Sequence, residues 1–220
     1  QVFDQKKLMS PFSKNYTNLK NENPEIEFKN VVSSALLPPY GPVYIELISA
    51  VAQKIINKGD VCFKIEKETN NLEYNDKIIS LLQSSKKPVV ILGLENLIDN
   101  TSKVVSKITN LLNCPTLVTY KAKGVVSDND KNLVGIFTGG KAEQISIVKS
   151  DLIILIGLDP VELILQPWPY DIPVLNISLV NHKVHYVNAE ANLLGELNFN
   201  LNKYLKYFTK SDWKKAEIKF

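Results

Sequence analysis

A chain of 220 residues that is 45% hydrophobic and 22% charged has room for one large core or two small ones, which excludes a disordered tail. Its formal charge of +3 arises from lysines interspersed with acids rather than gathered in a stripe, so the footprint of a nucleic-acid partner is missing. No apolar run approaches the roughly 20 residues of a membrane span and no basic-then-apolar leader opens the chain, so a cytoplasmic protein without a membrane partner is expected.

The first 40 residues are polar, punctuated by proline and show little helical periodicity. The chain opens on Gln1, and it reads as a piece of something longer. GPVYIEL (41–47) is a strand. Residues 58–75 are rich in Lys, Glu, Asn and Asp with few apolar anchors, as linkers are, so a linker is expected over 51–75. GPVYIEL then belongs to a different sheet from the strands beyond residue 75.

PVVILG (88–93), TLVTY (116–120), LIILIG (152–157) and PVLNIS (173–178) are apolar throughout or nearly so, the habit of strands buried on both faces. Between the first two, Val104, Val105, Ile108, Leu111 and Leu112 fall at helical spacing within 99–113, and Asn113 ends the run. Residues 139–150, with Ala142, Ile145 and Val148 three apart, predict a second helix. Strands alternating with helices at this spacing mean an α/β fold, a doubly wound parallel sheet over 76–190 whose ligands sit beyond the C-terminal ends of the strands. After Val187 the chain turns Asn-rich and then helical, and Leu197, Leu201, Tyr204, Leu205 and Phe208 share a face. The apolar residues near Trp213 have no evident partner, so 191–220 reads as a tail leading elsewhere.

Candidate chemistry is sparse. All 26 basic residues are lysine, so the planar two-bond grip of guanidinium on carboxylate or phosphate is missing. Cys62 and Cys114 lie far apart in apolar or β-branched surroundings and read as buried thiols. His182 and His185 are three apart, but their neighbours look like strand, which turns such positions to opposite faces. Asp128, Asp130 and Asn132 imitate a calcium loop, yet Leu133 stands where its glycine belongs. No metal site is expected. The stretch YKAKGVVSDNDKNLVGIFTGG (120–140) remains. Gly139 and Gly140 would open a helix whose free N–H groups attract anions, and Lys121, Lys123 and Gly124 could assist. Asp128 and Asp130 offset those lysines, so this is a weak, vestigial nucleotide site at most.

The order of these motifs resembles the thiamine-diphosphate-dependent 2-oxo-acid enzymes typified by acetolactate synthase. Gln1, Phe3, Asp4, Gln5, Leu8, Pro11, Ser13 and Lys14 are similar to a segment of that family's pyrimidine-binding domain, and Gly41-Pro42-Val43 to its last strand. Lys87 to Gly93 and Cys114 to Thr119 look like the first two strands of the central domain. Lys123-Gly124, Asp128, Gly135, Gly139-Gly140, Asp151-Leu152 and Gly157 then come in the family's order. The resemblance implies that residues 1–50 end a pyrimidine-binding domain, that 76–190 form the central domain, and that 191–220 lead towards a missing diphosphate-binding domain. It implies thiamine diphosphate and Mg2+ in the full-length protein, a 2-oxo acid as small-molecule substrate, and a homo-oligomer.

The same resemblance sets limits. The family's activating glutamate and its Gly-Asp-Gly…Asn motif match nothing in this chain, so the fragment alone is expected to be inactive. Glu46 falls at the wrong end of its domain to be that glutamate and reads as a strand-edge carboxylate. Gln1 is the residue that the resemblance brings near a substrate. Some members hold FAD in the central domain, but here Leu94-Glu95-Asn96 follow Gly93, Leu158-Asp159-Pro160 follow Gly157, and Glu95 and Asp159 would repel phosphate. FAD is not expected. The leading reading is a fragment of a carboligase or decarboxylase, a transferase or lyase, whose central domain is structural. A stand-alone NAD- or FAD-type nucleotide-binding module, or a non-catalytic assembly domain, stays open beside it.

Overall fold

The structure is a computed structural model that describes residues 3–20, 23–55, 75–164, 166–182 and 187–218. The chain forms two compact units, Gln1–Glu68 and Thr69–Phe220. Cys62, His185, Gln1 and most of the expected linker lie outside the described residues.

In the first unit, helix α1 (Gln5–Met9) is capped by Asp4, whose carboxylate accepts the Lys7 N–H at 3.0 Å. Strand β1 (Asn15–Asn18) and strand β2 (Val43–Glu46) pair in parallel, and helix α2 (Pro24–Leu36) lies between them in sequence. α2 corrects the expectation of little helix in the first 40 residues. Its start is well formed, with Pro24 in the first turn and Glu25 and Glu27 at the positive end of the dipole. What it lacks is a clean stripe: Val31 is buried, whereas Ile26, Phe28 and Leu36 are exposed, so no periodicity stands out. Glu46 is also more than a strand-edge carboxylate. It is half-buried and accepts from the Tyr16 hydroxyl at 2.5 Å and the Asn18 amide at 2.8 Å. Helix α3 (Ser49–Ala52) comes next.

The second unit is built on six parallel strands: β3 (Pro88–Leu92), β4 (Thr116–Val118), β5 (Leu133–Ile136), β6 (Leu152–Ile156), β7 (Val174–Ser178) and β8 (Ala191–Leu194). Their order across the sheet is β5-β4-β3-β6-β7-β8. Counted within the sheet this is 3-2-1-4-5-6, the doubly wound order that reverses direction between its first and fourth strands.

Alternation along each strand divides the core. Val90, Leu92, Val118, Ile154, Ile156, Leu175 and Ile177 join one cluster, while Val89, Ile91, Leu117, Ile153, Leu155 and Val174 join the other. Both faces are therefore covered, which explains why the strands read as unbroken apolar runs. The first face packs against Ile78 and Leu82 of helix α4 (Asp76–Ser84), Val104, Val105, Ile108 and Leu112 of helix α6 (Ser102–Leu112), and Leu197, Leu201 and Tyr204 of helix α8 (Leu197–Tyr204). The second face has a thinner cover, with Phe137, Leu158, Leu163, Tyr170 and Ile147 of the one-turn helix α7 (Gln144–Ile147).

Several expectations shift in detail. The helix expected from residue 99 begins at Ser102, because a separate turn, α5 (Glu95–Ile98), precedes it and Asn100 takes φ +50°. It ends where expected, with Asn113 left-handed at φ +48° and its N–H bonded to Thr109. The helix expected over 139–150 shrinks to α7, since Gly139 is left-handed at φ +80° and the Gly140 amide is bonded to the Glu143 side chain instead of opening a coil. β5 and β8 leave no clear pattern in the sequence, being short and only partly buried.

The tail is the clearest correction. Trp213, expected to lack a partner, is buried, and its indole N–H donates to the Pro88 carbonyl at 2.8 Å. Ser211 N–H reaches the Leu112 carbonyl and Asp212 N–H the Lys86 carbonyl. Phe208 and Ile218, the latter in helix α9 (Lys215–Ile218), join the first core cluster. The tail thus closes the N-terminal end of β3, a long-range contact that local pattern does not show.

Candidate functional site

In a doubly wound sheet the ligand crevice opens at the C-terminal ends of the strands where their order reverses, here between β3 and β6. A nucleotide bound there needs glycines for close approach, free N–H groups aimed at its pyrophosphate, and a neutral or positive surround.

The glycines are present but serve another purpose. A Cβ on Gly93 would lie 2.3 Å from the Gly157 carbonyl oxygen, 2.4 Å from Leu158 Cα and 2.5 Å from Glu162 Oε1. Gly157 takes φ +63°, and a Cβ on it would lie 2.8 Å from Asn96 Nδ2. These residues let two pieces of the same chain touch, leaving no gap for a ligand. Asn96 fixes the junction: fully buried, its amide donates to the carbonyls of Gly93 (2.9 Å) and Ile156 (2.6 Å), while its oxygen accepts from the Thr101 hydroxyl at 2.7 Å.

The N–H groups are likewise used. Gly93 N–H donates to Ile156, Glu95 N–H to Gly157 and Asn96 N–H to Gly93. Leu94 N–H donates to Glu162 Oε1 at 3.0 Å. Glu162, 1% exposed, stands where an external anion would have to sit. Its Oε1 also accepts the Asp159 N–H at 3.2 Å and its Oε2 the Thr119 hydroxyl at 2.6 Å. The Tyr120 hydroxyl donates to its main-chain carbonyl. Asp159 caps the short 3-10 turn Pro160–Glu162 from the other side, completing a reciprocal capping box. Burial pushes the Glu162 carboxyl above the usual carboxylate range, and the bonds from Thr119, Leu94 and Asp159 only partly oppose that.

A second buried carboxylate flanks the first. Glu95 accepts the Leu179 N–H at 2.8 Å through Oε2, and its Oε1 lies 2.9 Å from His182 Nε2. His182 Nδ1 is 3.9 Å from Asp159 Oδ1. The hydrogen bond to Glu95 holds the His182 imidazolium above its ordinary value, with the charges of Glu95 and Asp159 adding to it and burial opposing. Three carboxylates and one imidazole therefore gather at the rim, an arrangement that ties loops together and repels phosphate.

The residues expected from sequence to hold an anion lie in the segments that follow the neighbouring strands β4 and β5. Lys123 and Gly124 belong to the turn after β4, where Lys123 is exposed and pairs with Asp128 at 3.7 Å and Gly124 takes φ +97°. Gly139 and Gly140 come after β5. Gly140 N–H donates to Glu143 Oε1 at 2.7 Å and to the Thr138 hydroxyl at 3.2 Å. Its amide is thus engaged by a carboxylate of the chain itself. Cys114 is a fully buried free thiol, pushed up by desolvation. Among the described residues no cluster of three or more potential metal ligands occurs, and no helix is long and apolar enough to cross a membrane. Glu95 and Asp159 stand out in the sequence, but Glu162 does not. The Asp159-Pro160-x-Glu162 spacing, a cap with its reciprocal acid, is the signal that could have found it.

Residues 75–202 match the family described as thiamine pyrophosphate enzyme, central domain. The chain belongs to that family. The matched stretch contains the whole crevice, from β3 to the start of α8. A Methanococcus aeolicus protein assigned as an acetolactate synthase large subunit is 24% identical over 201 residues, covering 83% of this chain and 33% of that protein. The chain thus spans about a third of the length of the curated relative it matches. Among solved structures, a benzoylformate decarboxylase from Polynucleobacter necessarius superposes with TM-score 0.72 at 20% identity, over 96% of this chain and 41% of that one. A Mycobacterium smegmatis protein assigned to the thiamin diphosphate-dependent enzymes gives TM-score 0.71 at 16% identity, over 95% and 42%. At such identities the likeness establishes the α/β fold of a central domain in this family.

Proposed function

We propose that this chain is part of a thiamine-diphosphate-dependent enzyme that decarboxylates a 2-oxo acid and ligates the product to a carbonyl acceptor, and that its central domain is a structural element holding no flavin. Thiamine diphosphate, with Mg2+, would supply the electron sink for decarboxylation when bound to the full-length protein. The described residues do not fit that group, since its activating glutamate and diphosphate motif match nothing in the chain. The central domain's own part is that of a packed scaffold, its sheet covered by apolar side chains on both faces. Residues 1–50 are read as the end of a pyrimidine-binding domain, with Gln1 as a substrate-side contact, and the full-length protein as a homo-oligomer acting in the cytoplasm.

The observation that carries the structural role is Glu162 seated on the Leu94 N–H at the reversal of strand order. A stand-alone nucleotide-binding module would need that position for a phosphate. The acetolactate synthase relative supports carboligation over simple decarboxylation. The test is to express the entire reading frame that encodes this chain and measure CO2 release from a panel of 2-oxo acids, with thiamine diphosphate and Mg2+, with and without FAD. Cofactor-dependent CO2 release that is indifferent to FAD is expected. A protein inert towards every 2-oxo acid, or one that needs FAD, would contradict the reading.

A further inference from the structure

Three donors from three separate segments converge on the Glu162 carboxylate. The Leu94 N–H, after β3, and the Asp159 N–H, after β6, reach Oε1 at 3.0 and 3.2 Å, and the Thr119 hydroxyl, after β4, reaches Oε2 at 2.6 Å. Each donor is fixed by bonds that do not involve the Glu162 side chain. Gly93 N–H on Ile156 and Glu95 N–H on Gly157 hold the backbone to either side of Leu94. The Val161 N–H on Asp159 Oδ1 holds the turn that carries Asp159. Thr119 is fully buried, and its hydroxyl oxygen accepts the Ala122 N–H at 3.2 Å, which leaves its proton to point at the carboxylate. Gly93 makes the room, since a Cβ on it would lie 2.5 Å from Glu162 Oε1.

The donor set selects its ligand. A carboxylate offers two oxygens, and both are served here. A phosphate or sulfate has further oxygens, yet among the described residues no other donor reaches this position. The Asp159 charge, which already bears on Glu162, also repels a multiply charged ion. The size of the ligand follows from the side chain now in place. Cutting Glu162 back to Cβ removes the heavy atoms of acetate, and cutting it back to Cα removes those of propionate. Buried space opened by shortening a side chain takes up small molecules that match it.

We propose that the donors after β3, β4 and β6 make a seat for a short monocarboxylate, that Glu162 fills it from within the chain, and that a free monocarboxylate of matching length takes its place when that side chain is shortened. The glutamate is thus a built-in ligand, and the crevice is kept closed by the same contacts that recognise a carboxylate supplied from outside. The inference rests on the structural role proposed for the central domain, and the two fail apart. Flavin or NAD binding by the parent chain overturns that role, whereas indifference of the shortened variants to carboxylates overturns only the seat.

The test compares the 220-residue chain with Glu162→Ala, Glu162→Gly and Glu162→Gln by urea unfolding in mildly acidic buffer, followed by the fluorescence of Trp168 and Trp213, both in the second unit. Sodium acetate, propionate and chloride are added at equal ionic strength. For a ligand as small as acetate a dissociation constant of about 10 mM is expected, so about 100 mM acetate lowers the unfolding equilibrium constant of Glu162→Ala about tenfold relative to chloride. Acetate acts more strongly than propionate on Glu162→Ala, and the order reverses on Glu162→Gly. The parent and Glu162→Gln, whose seats are full, respond to neither. Adding Thr119→Ala to Glu162→Ala weakens acetate binding several-fold, the scale of one lost hydrogen bond. If Glu162→Ala is unfolded in chloride, acetate restores its folded signal. The proposal is overturned if acetate and chloride act alike on Glu162→Ala, if the parent responds as the variant does, if acetate and propionate keep one order in both shortened variants, or if Thr119→Ala leaves acetate binding unchanged.

Discussion

Glu162 Oε1 accepts the Leu94 N–H at 3.0 Å across 68 positions of sequence, so a carboxylate that comes after the fourth strand of the sheet caps the backbone that comes after the first. Because burial holds the Glu162 carboxyl above its ordinary value of 4.5, the folded chain binds this proton more tightly than the unfolded one. Its contribution to stability is then greatest below 4.5 and declines as pH rises through the raised folded value. Glu162→Gln removes the titration. Urea midpoints of the two proteins, compared from about pH 4 upwards, should show the variant gaining on the parent as pH rises, and a pH-independent difference would refute the assignment.

His182 and Glu95 form the second clasp, between the loop after β7 and helix α5. Here the group is a base whose folded value is raised above 6.5, by the hydrogen bond to Glu95 first and by Asp159 last. The clasp is therefore at full strength below 6.5 and is lost as pH rises through the higher folded value. His182→Gln should destabilise the chain in mildly acidic buffer and much less in alkaline buffer. The same trend should appear in hydrogen exchange of the Leu179 amide, which Glu95 accepts.

Gly93→Ala tests whether the crevice is closed. Its new Cβ would meet backbone on β6's exit, at 2.3 and 2.4 Å, and backbone cannot move aside as a flexible side chain does. A loss of about 1–3 kcal/mol or more is expected from overpacking, read from chemical denaturation. A neutral substitution would mean that space for a ligand exists there.

Trp213→Ala removes a buried indole from the core beneath the N-terminal end of β3, and a loss of about 3–5 kcal/mol is expected. Trp213→Phe keeps most of the packing but leaves the Pro88 carbonyl without its donor, so about 1–2 kcal/mol is the scale there. If both variants melt with the parent, the tail does not belong to this core.

The sheet is legible in the sequence because its strands are buried on both faces: PVVILG and LIILIG carry no polar residue to interrupt them, and only a strand or a buried helix reads that way. α6 is legible from its five apolar positions and its Asn113 stop. β8 is not, since its burial alternates weakly, and neither is the packing of Trp213, which depends on a partner 125 positions away. At the rim, the acids after Gly93 and Gly157 are visible as obstacles to phosphate. Their partners are not, because Leu94 with Glu162 and Glu95 with His182 are brought together only by the order of the strands. The glycine pair at 139–140 has the sequence pattern of an anion site, but Glu143, three residues on, takes the Gly140 amide at the same i to i+3 spacing as a capping-box acid.

The most direct test of a crevice closed by its own carboxylates is a calorimetric titration of the purified chain with FAD, NAD and ADP, alongside its visible spectrum. No saturable binding in the micromolar range and no flavin absorption are predicted, because Glu162 already occupies the anion position and Glu95 and Asp159 repel a second negative charge. Micromolar binding of any of the three, or a flavin band near one equivalent per chain, would contradict the account.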